Sequence, residues 1–217
     1  MKIQILIIIL TLLTSCSQNE NKHSTNIKQE PKTPSMPLRT YPDSSGAKNW
    51  QQGFGLTHNP KLDTIWYKPV EYYLSDKECS PLAKNFYYGK LRPSDDSLTK
   101  ELLKLSATKY SKLRPFYRWC LNKTILIQDG ALAEYTGQPA RLYAETFPKE
   151  FFEYMNIDTS GQKYLEWTGA ISYSGYYENE DYKNKKVITK KIIQKMKTNC
   201  KSCESEKIEK FANDCFH

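Results

Sequence analysis

From residue 80 onward, apolar residues recur at helical spacing. Ser80-Pro81 joins a hydroxyl cap to a proline at the first helical position, Leu82, Phe86 and Tyr87 supply a face, and Gly89 can end the segment. Ser94-Asp95-Asp96-Ser97 precedes Leu98, Leu102 and Leu105, spaced i, i+4, i+7. Ser94 is the expected cap there, with both aspartates suited to the positive end of the helix dipole. Pro115 opens a segment with Phe116, Cys120 and Ile127 along one side, punctuated by Asp129-Gly130. Ala131, Leu132 and Tyr135 begin a short turn closed by Gly137, and Pro139 opens Leu142, Tyr143 and Ala144. Pro148 opens Phe151, Phe152 and Met155. Two successive proline-led helices predict antiparallel hairpins with sharp corners.

Tyr164, Trp167 and Ile171 extend the helical pattern, although Gly169 weakens it. Ile188, Ile192 and Met196 form an i, i+4, i+8 stripe, and Ile208, Phe211, Ala212 and Cys215 form another at i, i+3, i+4, i+7. Residues 66–73 are aromatic and read as extended or irregular, because Pro69 opposes a helix interior or a central strand. No alternating run is long enough to demand a sheet, and no fixed repeat period stands out. The expected fold is all-α, a small helical bundle or short array of helical hairpins.

The N-terminus is different. Met1-Lys2 leads an apolar run from Ile3 to Leu13 that closes on Leu13-Thr14-Ser15-Cys16. A basic start, a short apolar core and small residues before a cut are the parts of an export signal, and the run is too short for a spanning helix of about 20 residues. Leu-Thr-Ser-Cys resembles the lipobox of bacterial lipoproteins. The resemblance covers residues 1–16 and implies a signal peptide at 1–15, cleavage before Cys16, and a diacylglycerol on its thiol. It also implies an acyl chain such as palmitate on the freed amine. Two or three chains, at about 0.8 kcal/mol per buried methylene, make release negligible. Ser17 in place of an aspartate resembles the outer-membrane sorting pattern of that class, so the expected location is the periplasmic face of the outer membrane.

From Ser17 to about Pro60 the chain is polar, with Pro31, Pro34, Pro37 and Pro42. The span 16–59 reads as a lipidated, disordered tether and 60–217 as the helical domain with its basic C-terminal helix. About 44 flexible residues span ~35–40 Å. Trp50 and Phe54 make the stretch from Trp50 to Leu56 the part able to pack onto the domain. The remaining length, about 155 residues, suits one domain with its own core.

Charge then narrows the partners. The chain carries +8, and ten lysines against three glutamates between 183 and 210 account for seven of it. An exported chain with this balance points to lipid headgroups, anionic glycans or an acidic protein, not nucleic acid. Lys185, Lys186, Lys190, Lys191, Lys195 and Lys197 flank the Ile188–Ile192–Met196 stripe and form the candidate binding face. A solvated lysine face that keeps the domain soluble is the plainer alternative.

Beyond Cys16 there are Cys79, Cys120, Cys200, Cys203 and Cys215, all candidates for disulfides in an oxidising compartment. Their number is odd, so one stays free or pairs elsewhere. A zinc site from Cys200, Cys203, Cys215 and His217 has suitable ligands, but a helix over 204–214 would separate Cys203 from Cys215 by about 18 Å. A redox role for Cys200-Lys201-Ser202-Cys203 lacks the strand–helix context it needs. Helix stapling or burial as small hydrophobes is preferred. No metal or cofactor is expected.

Catalytic patterns are sparse. His23, His58 and His217 lie in the tether, at its end and at the terminus, away from any core element. Asp129, Glu134, Glu145, Glu150 and Glu153 are close enough in sequence for a carboxylate pair of the kind that hydrolyses glycosides. The leading expectation is a non-enzymatic, membrane-anchored periplasmic binding protein with a protein partner in the envelope. An immunity protein that inhibits an envelope-targeting toxin is one version, by analogy of size and location alone. A structural lipoprotein that binds an anionic surface or peptidoglycan is the alternative, and a carboxylate-based hydrolase comes third.

Overall fold

In the computed structural model, the structure describes residues 50–54, 56, 59, 61, 63–177 and 184–216. The lipobox with Cys16, most of the tether, His23, His58, Lys183, the acidic Glu178, Glu180 and Asp181, and His217 lie outside the described residues.

The architecture is a mostly helical bundle, as the periodicity predicts. A short helix α1 (Trp50–Gly53) comes first. Its Trp50 is buried against Phe86, and Gln51 donates from Nε2 to the Phe86 carbonyl at 2.8 Å. The packed part of the chain therefore reaches upstream of residue 60. A two-stranded antiparallel ribbon follows, β1 (Thr64–Ile65) with β2 (Lys68–Pro69), pairing Thr64 with Pro69 and Ile65 with Lys68. Its turn residues Trp66 and Tyr67 have φ of 51° and 62°. Hairpin turns of this hand favour Asn-Gly, and bulky residues there cost of order 1–3 kcal/mol each. The Trp66 ring is held in place by a guanidinium: Arg118 Cζ lies 4.2 Å from its centroid.

Helices α2 (Glu71–Leu74) and α3 (Pro81–Tyr87) follow, the latter capped by Ser80 Oγ accepting from the Leu82 amide. Helix α4 (Ser97–Lys104) differs from expectation in two details. Its cap is Asp96, whose Oδ1 accepts from the Thr99 amide at 2.7 Å, while Ser94 Oγ donates to the other Asp96 oxygen. Its buried face is Thr99, Leu102 and Leu103, and Leu98 is exposed. Packing against α5 and α6 selects the Thr99–Leu102–Leu103 side of the helix, and Leu98 falls on the other.

Helix α5 (Arg114–Ile127) carries Pro115 in its first turn and buries Phe116, Tyr117, Cys120 and Leu121. Helix α6 (Gly130–Thr146) runs unbroken through Pro139, where the sequence predicts a turn closed by Gly137 and a fresh start. An interior proline costs about 3 kcal/mol, through a lost hydrogen bond and a ring clash. Tertiary packing outweighs that here: α6 touches α4, α5, α7 (Pro148–Asn156), α8 (Gln162–Tyr173) and α9 (Lys185–Asn199). Gly137 allows the closest approach. A Cβ there would stand 2.7 Å from the Ala170 carbonyl oxygen and 2.9 Å from the Ser174 nitrogen. Gly137 is a contact point between α6 and α8, not a helix stop.

The last helix, α10 (Ser205–Asp214), packs against α9. The basic helix α9 is thus the penultimate one. Its Ile188, Ile192 and Met196 are buried, as are Ile208, Phe211, Ala212 and Cys215, so both stripes point inward. Aromatic rings knit the far end of the core, with Phe151 and Phe211 centroids 4.7 Å apart and Tyr143 and Trp167 centroids 5.8 Å apart. Such pairs contribute about 0.5–1.5 kcal/mol beyond area burial.

Candidate functional site

The basic helix does not present one face. At about 100° per residue, Lys186, Lys190 and Lys197 fall on one flank of the buried stripe, and Lys191 and Lys195 on the other. On the first flank, Lys197 Nζ pairs with Glu209 Oε1 of α10 at 2.6 Å, while Lys186 and Lys190 are exposed. On the second, Lys195 reaches across to α6, where its Nζ meets Glu145 Oε2 at 2.8 Å. Lys185 lies near the start of the stripe, on neither flank. The six lysines therefore divide between surfaces, because an amphipathic helix flanks its apolar stripe on both sides.

Lys195 brings attention to a groove of about 740 Å³ whose lining comes from α4, α6 and α9. The floor is one face of α6: Glu134, Tyr135, Gln138, Pro139, Arg141, Leu142 and Glu145. From Glu134 to Glu145 this face is ~16 Å long at 1.5 Å per residue. Lys100 and Lys104, one turn apart on α4, line one wall, and Lys195 lines the other. The walls are pinned at opposite ends. Tyr135 Oη donates to the Asp95 carbonyl just before α4, and Asn199 Nδ2 donates to the Glu145 carbonyl at the far end.

Four cationic side chains thus face two carboxylates. Arg141 is buried beneath them and donates from Nε to Glu145 Oε1 at 2.7 Å. Glu145 is thereby held between Arg141 and Lys195, with both oxygens engaged. Lys100 and Lys104 are exposed and form no ion pair among the described residues. Leu142, 46% exposed, supplies an apolar patch on the floor. The groove is concave, lined mainly by charged and polar side chains around the exposed Leu142, and its volume lies in the range common in ligand sites.

A second polar cluster lies under the hairpin. Arg118, 1% exposed, is sandwiched between the Trp66 and Tyr154 rings and donates from Nη1 to Tyr143 Oη at 2.8 Å and Glu150 Oε1 at 3.0 Å. Arg114 Nε meets the other Glu150 oxygen at 2.9 Å, and Tyr143 Oη also donates to Glu150. This network ties α5 to α6 and α7 and to the hairpin. Burial pushes the Tyr154 phenol up to about 12, so it stays protonated at neutral pH.

The carboxylates nominated by sequence disperse. Asp129 caps α6 by accepting from the Leu132 amide, Glu134 lines the groove, Glu145 and Glu150 sit in the two ion-pair clusters, and Glu153 is exposed beside the second cluster.

Of the candidate disulfide cysteines, Cys200 and Cys203 are bonded, closing the loop between α9 and α10 with Cα atoms 5.4 Å apart. Cys79, Cys120 and Cys215 are instead buried free thiols. Burial pushes Cys79 up to about 11 and raises Cys120 and Cys215 strongly, so all three are protonated small hydrophobes at neutral pH. With helix between them, Cys203 and Cys215 are kept apart as the spacing argument requires.

Sequence reasoning found Lys195, Glu134 and Glu145 but missed Lys100, Lys104, Arg141 and Leu142. The i, i+4 pair Lys100 and Lys104, opposite Leu102 and Leu103, was a visible signal of a cationic helix face. Comparison of the chain with protein-family models, curated proteins and solved structures finds no match to any of them.

Proposed function

We propose that this chain is a lipid-anchored binding protein of the bacterial envelope whose helical domain captures a protein partner in the α4–α6–α9 groove. The observation that carries the reading is that Lys100, Lys104, Arg141 and Lys195, from three helices, line one groove along the α6 floor together with the exposed Leu142. The lipobox Leu13-Thr14-Ser15-Cys16 supports the anchor, and Ser17 supports the periplasmic face of the outer membrane. Inhibition of an envelope-targeting toxin is the version in which a tether and a preformed basic groove both have a use.

The outward lysines Lys186 and Lys190 favour a second reading, in which α9 rests on an anionic surface or peptidoglycan. A photo-crosslinking residue at Leu142 distinguishes the two in living cells. The first reading expects a discrete crosslinked protein from position 142 and none from position 190. A band only from position 190, or from neither, contradicts it. Metabolic labelling with a fatty-acid probe tests the anchor: labelling is lost with Cys16→Ala, and equal labelling of that variant contradicts the lipid assignment.

A further inference from the structure

We infer that the occupant of the groove is an acidic polypeptide segment, with several carboxylates in a line and an apolar residue among them. The inference rests on the reading of the groove as the binding site and adds the chemistry of the partner.

The cations are spread along the groove, not gathered at one point. Lys100 and Lys104 follow one another ~6 Å apart on α4. The Asp95–Tyr135 contact fixes the start of α4 at the Glu134 end of the floor, and Lys195 stands at the Glu145 end. A single anionic head could be shared by Lys100 and Lys104 but would leave Lys195, on the other wall, unmatched. A segment whose carboxylates reach both the Lys100–Lys104 wall and Lys195, with none set against Glu134, matches these positions, and the ~16 Å floor equals about five residues of extended chain.

The two walls also differ in readiness. Lys100 and Lys104 are exposed, so their charge is available. Lys195, 52% exposed, is engaged by Glu145, which keeps Arg141 as a partner when Lys195 turns to a ligand. The apolar residue of the segment rests on Leu142 and Pro139. Attraction across such a groove is screened, with a Debye length of about 8 Å at physiological salt and about 3 Å at 1 M.

The test uses the mature domain and a fluorescein-labelled peptide of glutamates around one leucine, read by fluorescence anisotropy. Wild type should bind it, more weakly as salt rises, and should not bind the glutamine counterpart. Lys100→Gln with Lys104→Gln should weaken binding about fivefold or more, whereas Lys186→Gln with Lys190→Gln should stay within about twofold. All four lysines are exposed, so thermal melts should match wild type. Inorganic phosphate and phosphatidylglycerol vesicles serve as competitors. The inference is overturned if the peptide does not bind, if both double variants lose it equally, or if phosphate displaces it at equal concentration. It is also overturned if vesicles, and not the peptide, depend on Lys100 and Lys104. A crosslink at Leu142 without peptide binding would leave the binding reading standing and remove the acidic segment. Loss of both would remove both.

Discussion

Replacing Gly137 by alanine and replacing Gly169 by alanine should change stability in opposite directions. Both glycines are inside helices with ordinary helical φ, so each gains about 0.8–1.0 kcal/mol of helix propensity on becoming alanine. At Gly169 nothing lies within 4 Å of the new Cβ, and the gain is kept. At Gly137 the new Cβ meets the Ala170 oxygen at 2.7 Å and the Ser174 nitrogen at 2.9 Å. Both are backbone atoms, and neither can swing aside as a side chain would. Restoring an ordinary contact requires α6 and α8 to part by roughly 0.5–1 Å, which forfeits a quarter to a half of the dispersion well at each touching pair. Tyr143 and Trp167 lie in that interface. Overpacking costs about 1–3 kcal/mol, and two rigid backbone contacts put this site in the upper part of that range; subtracting the propensity gain leaves a net loss of about 1–2 kcal/mol. At about 2–4 °C per kcal/mol for a domain of this size, Gly137→Ala should melt ~2–8 °C lower and Gly169→Ala ~2–4 °C higher. Urea denaturation of both variants with matched slopes is the assay. A neutral or stabilising Gly137→Ala would mean that α6 and α8 do not meet as described.

Removing the α4 cap by Asp96→Ala should cost about 1 kcal/mol, and Ser94→Ala clearly less, in thermal melts. Truncating Arg118 to methionine should cost about 3 kcal/mol, because it breaks a buried charge network and removes the support for Trp66; a loss below 1 kcal/mol would deny that network its structural role. Burial raises Cys79 from an ordinary 9.0 to about 11 and Tyr117 from 10.0 to about 12. The unfolded chain therefore loses these protons first, and stability should fall as pH rises from about 9 to about 12. Cys79→Ala should flatten the lower part of that decline, and an unchanged profile would show that Cys79 does not contribute to it. Converting Cys200 and Cys203 to serine together should cost about 2 kcal/mol or less, since the closed loop is short.

Much of the fold is legible in the chain because helical period is a local property. The stripes at Ile188–Ile192–Met196 and Ile208–Phe211–Ala212 point inward as their spacing predicts, and Ser80-Pro81 and Pro148 open helices where expected. The departures have non-local causes. Pro139 and Gly137 look like punctuation by themselves, yet five neighbouring helices hold α6 straight through both. Trp66 and Tyr67 are poor turn residues until Arg118, some fifty residues on, is stacked beneath the ring. The groove is the extreme case, since its walls lie about forty and fifty residues from its floor. The division of the basic helix into two rows, by contrast, follows from 100° per residue and was present in the spacing of the lysines.

The central claim is that binding belongs to the groove and not to the outer row of α9. Its most direct measurement is the affinity of the partner crosslinked through Leu142 for three forms of the mature domain: wild type, the Lys100→Gln/Lys104→Gln form and the Lys186→Gln/Lys190→Gln form. The account predicts a loss of about fivefold or more for the groove variant alone. A partner that ignores the groove variant and weakens with the outer-row variant would contradict it.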